Sequence, residues 1–368
     1  MAHRFHIALC TDGVFPRAMG GMQRHSRLLA EHVARMPDVA ITVLHPHAEQ
    51  VFDPALGIRE VRVQGIDTGA FYLREMWRYS GRMAQALAPV RPDAVLAQGF
   101  CVWKDLDRFA DRLAFHPHGL EMFQGLTLRD KAIGLPFRRV VRSIARRAAC
   151  TVSLGGKLTT MLEGIGARRV AVLPNAVDVP PGPVPYAGDN DPMRLLFVGR
   201  FAFNKGLDLL MDVAHRLHAE GVPVHFDLAG SGPLLATYQR AGLSPNVHLL
   251  GRVDDEELFR RYATCDALVL PTRFEGMPTV VLEAMARARP IIVSDVGATA
   301  ELVRDGVHGA LLPPGDAEAL YRAVRRFHAT GAEERRAMGR AAHQRALADF
   351  NWPVVARRHV EALRELAG

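Results

Sequence analysis

Short apolar segments alternate with longer amphipathic segments along most of the chain, and the whole alternation occurs twice. In the first half, FHIALC, VAITVLH and DAVLAQG are strongly apolar, and helical periodicity follows in QRHSRLLAEHVARM. In the second half, RLLFVG, VHFDLAG, DALVLPT and PIIVSD alternate with segments such as GLDLLMDVAHRLHAEG. Strands that are apolar on both faces are typical of parallel sheets covered by helices. The pattern therefore predicts an α/β protein with two parallel sheets.

A proline-rich segment separates the two halves. PNAVDVPPGPVPYAGDNDP, residues 174–192, shows no strand or helix periodicity and is typical of a linker. The 368 residues also exceed what a single hydrophobic core usually organises. We therefore expect two Rossmann-like domains that face each other across a deep cleft, with a ligand at the carboxyl ends of the strands.

Composition excludes several classes of protein. The chain is 49% hydrophobic and 23% charged, which is ordinary for a globular protein, and no apolar run approaches the roughly 18 residues of a membrane-spanning helix. The first residues lack the layout of a signal peptide. The cysteines are widely scattered, at Cys10, Cys101, Cys150 and Cys265. This spacing argues against a disulfide framework and against a cysteine-based metal site, and it favours a reducing, cytoplasmic location.

The excess of basic residues lies in the first half of the chain. The formal net charge is +7, and the segment RRVVRSIARR places Arg138, Arg142 and Arg146 at helical spacing. A solvated helix face is one interpretation, and attraction to an anionic membrane surface or a polyanionic acceptor is the other. Aromatic residues make up only 7% of the chain, and no nucleic-acid-binding module is present, so we do not expect nucleic acid as a partner.

Two cations follow the first strand of the second half. In LLFVGRFAFNKGLDLL, Arg200 comes just after the strand and Lys205 lies where the next helix begins. Fixed cations beside a helix N-terminus, at the carboxyl edge of a parallel sheet, suit a phosphate or diphosphate. The alternative is a structural role in which Arg200 pairs with Glu275 or Asp208.

The first half offers a glycine pair and a histidine pair at matching positions. Gly20 and Gly21 follow the first strand and open the first helix, where bare backbone amides can approach a ligand closely. The segment FHPHGLE ends a strand in His116 and His118. A zinc site needs three or four ligands, and no third ligand is apparent near these two. A histidine that donates or accepts a hydrogen bond at the ligand site is the alternative to a purely structural one.

Two glutamates occur in the apolar stretch EGMPTVVLEAMARARP. Glu275 stands in a loop, and we expect a helix from Pro278 to about Ala288, so that Glu283 lies more than one turn inside it. The unpaired amides at the start of this helix provide hydrogen-bond donors beside the carboxylate. A glycosidase pair is the competing hypothesis, but about 12 Å of helix disfavours a retaining pair and leaves an inverting pair only weakly supported.

Two Asp-x-Asp sequences could hold a metal ion. Asp105-Leu106-Asp107 lies in a polar stretch that we expect to be helical, and Asp189-Asn190-Asp191 lies in the linker. Because neither ends an apolar strand, we expect no metal site at either and no cofactor.

The segments GRFAFNKG and PTRFEGMPTVVLEAMARARPIIVSDVGATAELVRDGVHGALLPPGD resemble the retaining glycosyltransferases of family 4, glycosyl transferases group 1, which have the GT-B fold. The resemblance covers the whole second half, and the first half resembles the family loosely through Gly20-Gly21 and His118-Gly119. It implies an N-terminal domain of residues 1–178 plus a returning C-terminal helix, 353–368, and a nucleotide-sugar-binding domain of residues 179–352.

The resemblance also implies a role for each candidate residue. Glu275 would contact the donor sugar, Glu283 the ribose, and Arg200 with Lys205 the diphosphate. His118 would lie near the reacting centre, with His116 as second choice. Backbone donors would complete the donor pocket, which comprises Gly20, Gly21, Arg200, Lys205, Glu275, Gly276, Met277, Pro278, Thr279, Val280 and Glu283.

The sequence thus predicts a metal-independent, retaining hexosyl- or N-acetylhexosaminyltransferase. The expected donor is a UDP- or GDP-sugar, and the expected acceptor is a glycan, glycolipid or other glycoconjugate in polysaccharide biosynthesis. The expected location is cytoplasmic, and a peripheral position at the inner membrane face is the alternative left open. A nucleotide-sugar epimerase or hydrolase, and a non-catalytic sugar-nucleotide-binding protein, remain as alternatives. A nicotinamide oxidoreductase is more distant, because the glycine fingerprint after the first strand is missing.

Overall fold

The computed structural model describes residues 4–67, 71–125, 127–180, 184, 186 and 189–367. The chain forms two compact units. One contains the residues up to Ala176 and those from Trp352 onward, and the other runs from Val177 to Asn351. Both units are built on parallel sheets flanked by helices, as the alternation predicts.

The sheet of the first unit has the strand order β3-β2-β1-β4-β5-β6-β7, and every neighbouring pair is parallel. The inner strands are almost wholly buried, which explains their continuous apolar sequences. The strands are β1 Phe5–Cys10, β2 Val39–His45, β3 Arg59–Arg62, β4 Ala94–Gln98, β5 Leu113–His116, β6 Cys150–Ser153 and β7 Val170–Val172.

The helices of the first unit include the last one in the chain. The last helix lies against the first helix, and its Trp352, Val355 and Val360 enter the same core as Ile7 and Leu9 of β1. The C-terminal segment therefore contributes to the core around the first strand. The helices are α1 Gly21–Ala34, α2 Tyr72–Leu87, α3 Leu128–Ala145, α4 Lys157–Gly164 and α12 Trp352–Ala367.

The sheet of the second unit has the order β10-β9-β8-β11-β12-β13, again with parallel neighbours. Its strands are β8 Met193–Val198, β9 Val224–Ala229, β10 Val247–Gly251, β11 Ala267–Leu270, β12 Ile291–Ser294 and β13 Gly309–Leu312. Its helices are α5 Leu207–Ala219, α6 Leu235–Ala241, α7 Asp255–Thr264, α8 Thr279–Ala286, α9 Thr299–Leu302, α10 Ala317–Ala329 and α11 Ala332–Asp349.

The proline-rich segment lies partly outside the described residues, at 181–183, 185, 187 and 188. Its described part is attached to the second unit. The Tyr186 hydroxyl donates to the backbone oxygen of Asp266 at 2.9 Å, and the Asp189 amide donates to the Asp266 carboxylate at 2.6 Å. Within the described ranges, no helix combines the length and the apolar character that crossing a bilayer requires.

Candidate functional site

The candidate donor site lies at a change of direction in the second sheet. Strand β8 is flanked by β9 on one side and by β11 on the other, so the connections that leave β8 and β11 diverge at their carboxyl ends. In open parallel sheets this point forms a crevice that binds ligands. The two loops there, residues 199–206 and 271–278, carry most of the predicted donor-binding residues.

Lys205 and Glu275 meet at this point. Lys205 ends a single helical turn, Phe203–Lys205, and its ammonium donates a hydrogen bond to the Glu275 carboxylate. Their side chains are only 21% and 14% exposed. The structure therefore pairs Glu275 with Lys205 and not with Arg200, which the sequence left open.

A second ion pair fastens the two loops together. Arg273 donates two hydrogen bonds to Asp208 of α5, at 2.6 and 2.7 Å. The Arg273 amide and the Thr272 hydroxyl both donate to the backbone oxygen of Asn204, at 2.8 and 2.9 Å. The planar guanidinium of Arg273 thus acts as a brace between the two loops: its hydrogen bonds fix the positions of the loops that carry Lys205 and Glu275. The sequence interpretation missed Arg273, whose only signal is its place in PTRFEG.

The backbone at Glu275 and Gly276 is held by the loop after β12. The Ala298 amide donates to the Gly276 oxygen at 2.9 Å. Gly297 has φ +54°, and a Cβ atom there would lie 2.2 Å from the Glu275 oxygen. Only glycine fits this close approach of two backbones. Gly297 is a second residue that the sequence interpretation missed, although a glycine directly after a buried strand was its signal.

The helix after Glu275 is shorter than expected. It covers Thr279–Ala286, and Pro278 caps it in an extended conformation with ψ 116°, so Pro278 is not its first helical residue. The proline ring favours this extended capping geometry as well as the first helical position. The first amides of the helix, at Thr279 and Val280, have no acceptor within the helix itself.

Glu283 lies on the second turn of α8 and is already hydrogen-bonded. The Tyr262 hydroxyl donates to the Glu283 carboxylate at 2.9 Å. Burial, followed by the neighbouring Glu283 charge, holds the pKa of Tyr262 well above its usual range, so the hydroxyl keeps its proton. Tyr262 therefore orients the carboxylate that the sequence assigns to the ribose.

Arg200 lies at the mouth of a cavity of about 280 Å³ in the second unit. Among the described residues, neither Arg200 nor Arg252 has a side-chain hydrogen bond or ion pair, and both are exposed. Arg200 is therefore available to an anionic ligand, in contrast to the structural role that the sequence left open. The cavity is lined by Val198, Gly199, Arg200, Ala229, Gly230, Ser231, Arg252, Val253 and Leu258.

The glycine pair of the first unit lies where the sequence predicts it. Gly20 precedes α1 with φ +150°, and Gly21 is the first helical residue. Asp12, at the end of β1, accepts a hydrogen bond from the Gln23 amide at 2.9 Å. Burial raises the pKa of Asp12 above its usual value, which makes it a titratable group that the sequence interpretation did not select. Its signal was the abrupt end of the apolar run before it.

His118 lies beyond the end of β5 and not in the strand. It adopts φ +61°, a conformation that is uncommon for residues other than glycine, and its Nε2 atom forms a hydrogen bond with Gln98. Burial and the neighbouring His359 lower the pKa of His118 to about 3. The imidazole is therefore neutral near pH 7 and can both donate and accept a hydrogen bond.

His116 ends β5, is completely buried, and stacks on the ring of His118. Contrary to the sequence interpretation, further histidines do lie close to it: His25 of α1 and His359 of α12. These two residues are far from His116 in the sequence, so spacing gave no signal. Both ring nitrogens of His25 and of His116 lack a hydrogen-bond partner within the described part of the chain. Each such buried polar atom costs about 1–3 kcal/mol if it stays unsatisfied.

The Asp-x-Asp sequences have structural roles. Asp105 precedes a single helical turn, Leu106–Arg108, so this stretch is not the expected longer helix, and Asp107 pairs with Arg147 at 2.6 Å. Asp189 pairs with Arg335 and Arg336 at 3.1 and 2.5 Å.

The three spaced arginines of α3 do not form one free basic face. Arg138 donates to the Met122 backbone oxygen at 2.5 Å, and Arg146 donates to the Ile165 backbone oxygen at 2.9 Å. Arg142 is exposed.

Most of the chain matches two family models. Residues 19–180 match the model described as Glycosyltransferase Family 4, and residues 192–330 match the model described as Glycosyl transferases group 1. A glycogen synthase of Mycobacterium tuberculosis is 30% identical over 226 residues, which are 59% of this chain and 53% of that protein. The chain thus spans about half the length of the curated relatives that it matches, or less.

Solved structures resemble the whole chain. Sucrose-phosphate synthase from Thermosynechococcus elongatus has a TM-score of 0.80 at 21% identity, with 99% of each chain covered. Anabaena HepE in complex with UDP and glucose has a TM-score of 0.70 at 17% identity, with 98% of this chain and all of that chain covered. Together with the two sheets, these similarities show the GT-B fold, and the chain belongs to the family 4 glycosyltransferases, glycosyl transferases group 1.

Proposed function

We propose that the protein is a retaining glycosyltransferase that moves a hexosyl or N-acetylhexosaminyl group from a nucleotide-diphosphate sugar to a hydroxyl group of a glycan, glycolipid or other glycoconjugate. One observation carries the proposal: the braced Lys205–Glu275 pair and Arg200, whose side chain has no partner among the described residues, lie on loops that leave β8 and its neighbour β11. The similarity to a HepE structure that holds UDP and glucose supports a nucleotide-sugar donor. The proposed donor is a UDP- or GDP-sugar, as the sequence predicts.

The proposed chemistry needs a site that stabilises a departing diphosphate. The bond between the anomeric carbon and the donor phosphate oxygen breaks, and a new bond to the acceptor oxygen forms on the same face of the sugar. The acceptor proton passes to the departing phosphate oxygen. Arg200, Lys205 and the first amides of α8 would neutralise the charge that develops there, so that no divalent ion is needed.

The remaining residues bind and orient the sugar nucleotide. Glu275 accepts hydrogen bonds from sugar hydroxyls, and Glu283 binds the ribose. The backbone amides of Gly276, Met277, Thr279 and Val280 donate to the oxygens of the sugar nucleotide, and Pro278, which has no amide hydrogen, shapes the turn before the helix. Gly20 and Gly21 are proposed as further backbone donors. The neutral imidazole of His118 is proposed as the hydrogen-bonding group near the reacting centre, because it can donate without adding positive charge.

The donor can be identified by thermal stabilisation with UDP-, GDP-, ADP- and dTDP-sugars. At a concentration of about 100 times its Kd, a true donor should raise the melting temperature of the unit that binds it by roughly 5–10 °C. The best donor is then incubated with candidate acceptors, without and with added Mg²⁺ or Mn²⁺, and the anomeric configuration of the product is measured by NMR. We expect a retained configuration and equal rates with and without the metal ions.

Other outcomes of this experiment would contradict the proposal in distinct ways. Turnover of the donor without an acceptor would indicate a hydrolase or an epimerase. Binding without any turnover would indicate a non-catalytic sugar-nucleotide-binding protein, and an inverted product would exclude the retaining mechanism.

We also propose that the first unit binds an anionic membrane surface that carries a lipid-linked acceptor, which would place the protein at the cytoplasmic membrane face. Helix α3 exposes Leu128 and Leu135 to 85% and 46%, and the exposed Arg139 and Arg142 follow Leu135 by four and seven residues, on the same side of the helix. Exposed apolar side chains together with cations suit the interface of an anionic bilayer. This surface replaces the face of Arg138, Arg142 and Arg146, two members of which are bound to backbone oxygens.

Vesicle flotation tests this surface. The fourfold variant Leu128→Ser, Leu135→Ser, Arg139→Glu, Arg142→Glu should lose at least about tenfold in partitioning to vesicles that contain anionic lipid, because each cation near the surface contributes about 1 kcal/mol. A matched control, Val307→Ser with Leu347→Ser, removes two exposed apolar side chains from the second unit and should partition like the wild type. Unchanged partitioning of the fourfold variant would exclude α3 as the membrane-binding surface.

A further inference from the structure

A cluster of buried histidines lies in the core of the first unit. Its members come from three elements: His25 from α1, His116 from the end of β5 and His359 from α12. They are 4%, 0% and 1% exposed. One ring nitrogen of each lies within 4.8 Å of one ring nitrogen of each of the others.

Five of the six ring nitrogens in this cluster have no hydrogen-bond partner among the described residues. Both ring nitrogens of His25 and of His116 are unsatisfied, and so is Nε2 of His359. The Nδ1 atom of His359 is bonded to the Val355 backbone oxygen at 2.9 Å. This bond fixes the tautomer in which Nδ1 carries the proton and Nε2 presents a lone pair.

We propose that His25, His116 and His359 form a binding site for a single divalent transition-metal ion, with Zn²⁺ as the best match. Three imidazoles with no carboxylate among them suit zinc and its neighbours cobalt, nickel and copper, and do not suit Mg²⁺ or Ca²⁺. Zinc–nitrogen bonds of about 2.0–2.1 Å in a tetrahedron place the ligand nitrogens ~3.4 Å apart. The three rings therefore need to close in by little more than about 1 Å to reach that geometry.

The surroundings of the cluster fit a metal site. The three rings are buried away from water, which favours the neutral form of the imidazole that binds a metal ion. The backbone oxygen of Val355 supplies the second bond that orients a ligating histidine. A bound ion would also satisfy three of the polar atoms that are otherwise unpaired.

The ion would join the two ends of the chain. His25 and His359 lie on α1 and α12, which pack against each other, and His116 lies at the carboxyl end of β5. The ring of His116 stacks on that of His118, with 3.8 Å between centroids and 18° between planes. A metal at His116 would therefore stabilise the packing of the C-terminal helix and also position the ring against which His118 rests.

Cobalt spectroscopy on the full chain without a histidine tag tests the proposal. Protein that has been stripped with a chelator and dialysed should bind one equivalent of Co²⁺, with the visible absorption of a four- or five-coordinate nitrogen site, and one equivalent of Zn²⁺ should abolish that absorption. Zn²⁺ should also raise the melting temperature by several degrees. Absence of the visible bands in the wild type would overturn the proposal.

Variants locate the ion. His359→Gln and, independently, His25→Gln should each weaken Co²⁺ binding by at least about 100-fold. Two controls should bind as the wild type does. His32→Gln changes another histidine of α1, and the double variant His225→Gln, His248→Gln removes a histidine pair in the second unit whose rings lie 5.1 Å apart. Undiminished Co²⁺ absorption in folded His359→Gln, or loss of absorption in the second control, would overturn the assignment. None of these measurements involves a sugar donor, so they stand independently of the proposed function.

Discussion

Replacing Glu275 with Gln should reduce kcat for glycosyl transfer by roughly 100-fold while leaving the affinity for free UDP or GDP unchanged or slightly improved. The carboxylate would accept charge-assisted hydrogen bonds from sugar hydroxyls, each of which contributes about 1.5–3 kcal/mol. In the structure, the Glu275 carboxylate accepts a hydrogen bond from the ammonium group of Lys205. Removing its charge frees Lys205 for the diphosphate. Single-turnover kinetics and calorimetric titration with the nucleoside diphosphate measure the two effects separately.

Lys205→Met should show the opposite pattern, with the larger loss in nucleotide affinity. We expect the Kd for the nucleoside diphosphate to rise by roughly 10- to 100-fold, because a phosphate loses a charge-assisted hydrogen bond. Because the two residues form one ion pair, the double variant should not show the sum of the two single effects. Glu333→Gln is the matched control for Glu275→Gln. Glu333 is a 72% exposed carboxylate of the same unit, and it forms an ion pair with Arg340 outside the proposed donor site. Equal weakening of nucleotide binding in both single variants would show that Glu275 acts only by holding Lys205 in place.

Gly206→Ala should destabilise the second unit by about 3–5 kcal/mol and lower its melting temperature by roughly 6–15 °C. Gly206 precedes α5 with φ +69°, and an added Cβ would lie 1.9 Å from the backbone oxygen of Pro271. The left-handed conformation alone costs an alanine about 1–2 kcal/mol. The contact with Pro271 adds to this cost, because a backbone oxygen cannot move aside as a flexible side chain can. Calorimetry or thermal unfolding followed by circular dichroism measures the loss.

The other end of the same helix provides the control for this substitution. Gly221 also has φ +69°, but an added Cβ there meets nothing within 4 Å. Gly221→Ala should therefore cost only the conformational part, about 1–2 kcal/mol, and leave nucleotide binding unchanged. In Gly206→Ala the loops of Lys205 and Pro271 are forced apart, so nucleotide affinity should fall as well. Equal destabilisation by the two variants would mean that the approach of Gly206 to Pro271 is not a rigid feature of the site.

The inner strands of both sheets were predictable, whereas the edge strands of the first sheet were not. Strands β1, β2 and β4 coincide with the apolar runs FHIALC, VAITVLH and DAVLAQG, since both of their faces are buried. Strands β3 and β7 stand at the two edges of the first sheet and are partly exposed. Edge strands need no continuous apolar sequence, so REVR at β3 carries no local signal.

The candidate site was predictable as a set of residues but not as a set of contacts. Arg200, Lys205 and Glu275 were selected because cations and a carboxylate follow buried strands. Which of the two cations pairs with Glu275 depends on how the loops after β8 and β11 fold against each other, and the structure selects Lys205. The brace from Arg273 to Asp208 joins residues 65 positions apart and has no signature in either segment.

The histidine cluster shows the limit of sequence spacing most clearly. His116 was judged to lack further ligands because spacing reports only on neighbours along the chain, while His25 and His359 come from helices at opposite ends of it. The sequence by itself determined the parallel α/β architecture, since burial on both faces of a strand requires a local run of apolar residues. Only the tertiary structure decided which charged and titratable side chains meet, because such contacts depend on strand order and helix packing between segments that share no local pattern.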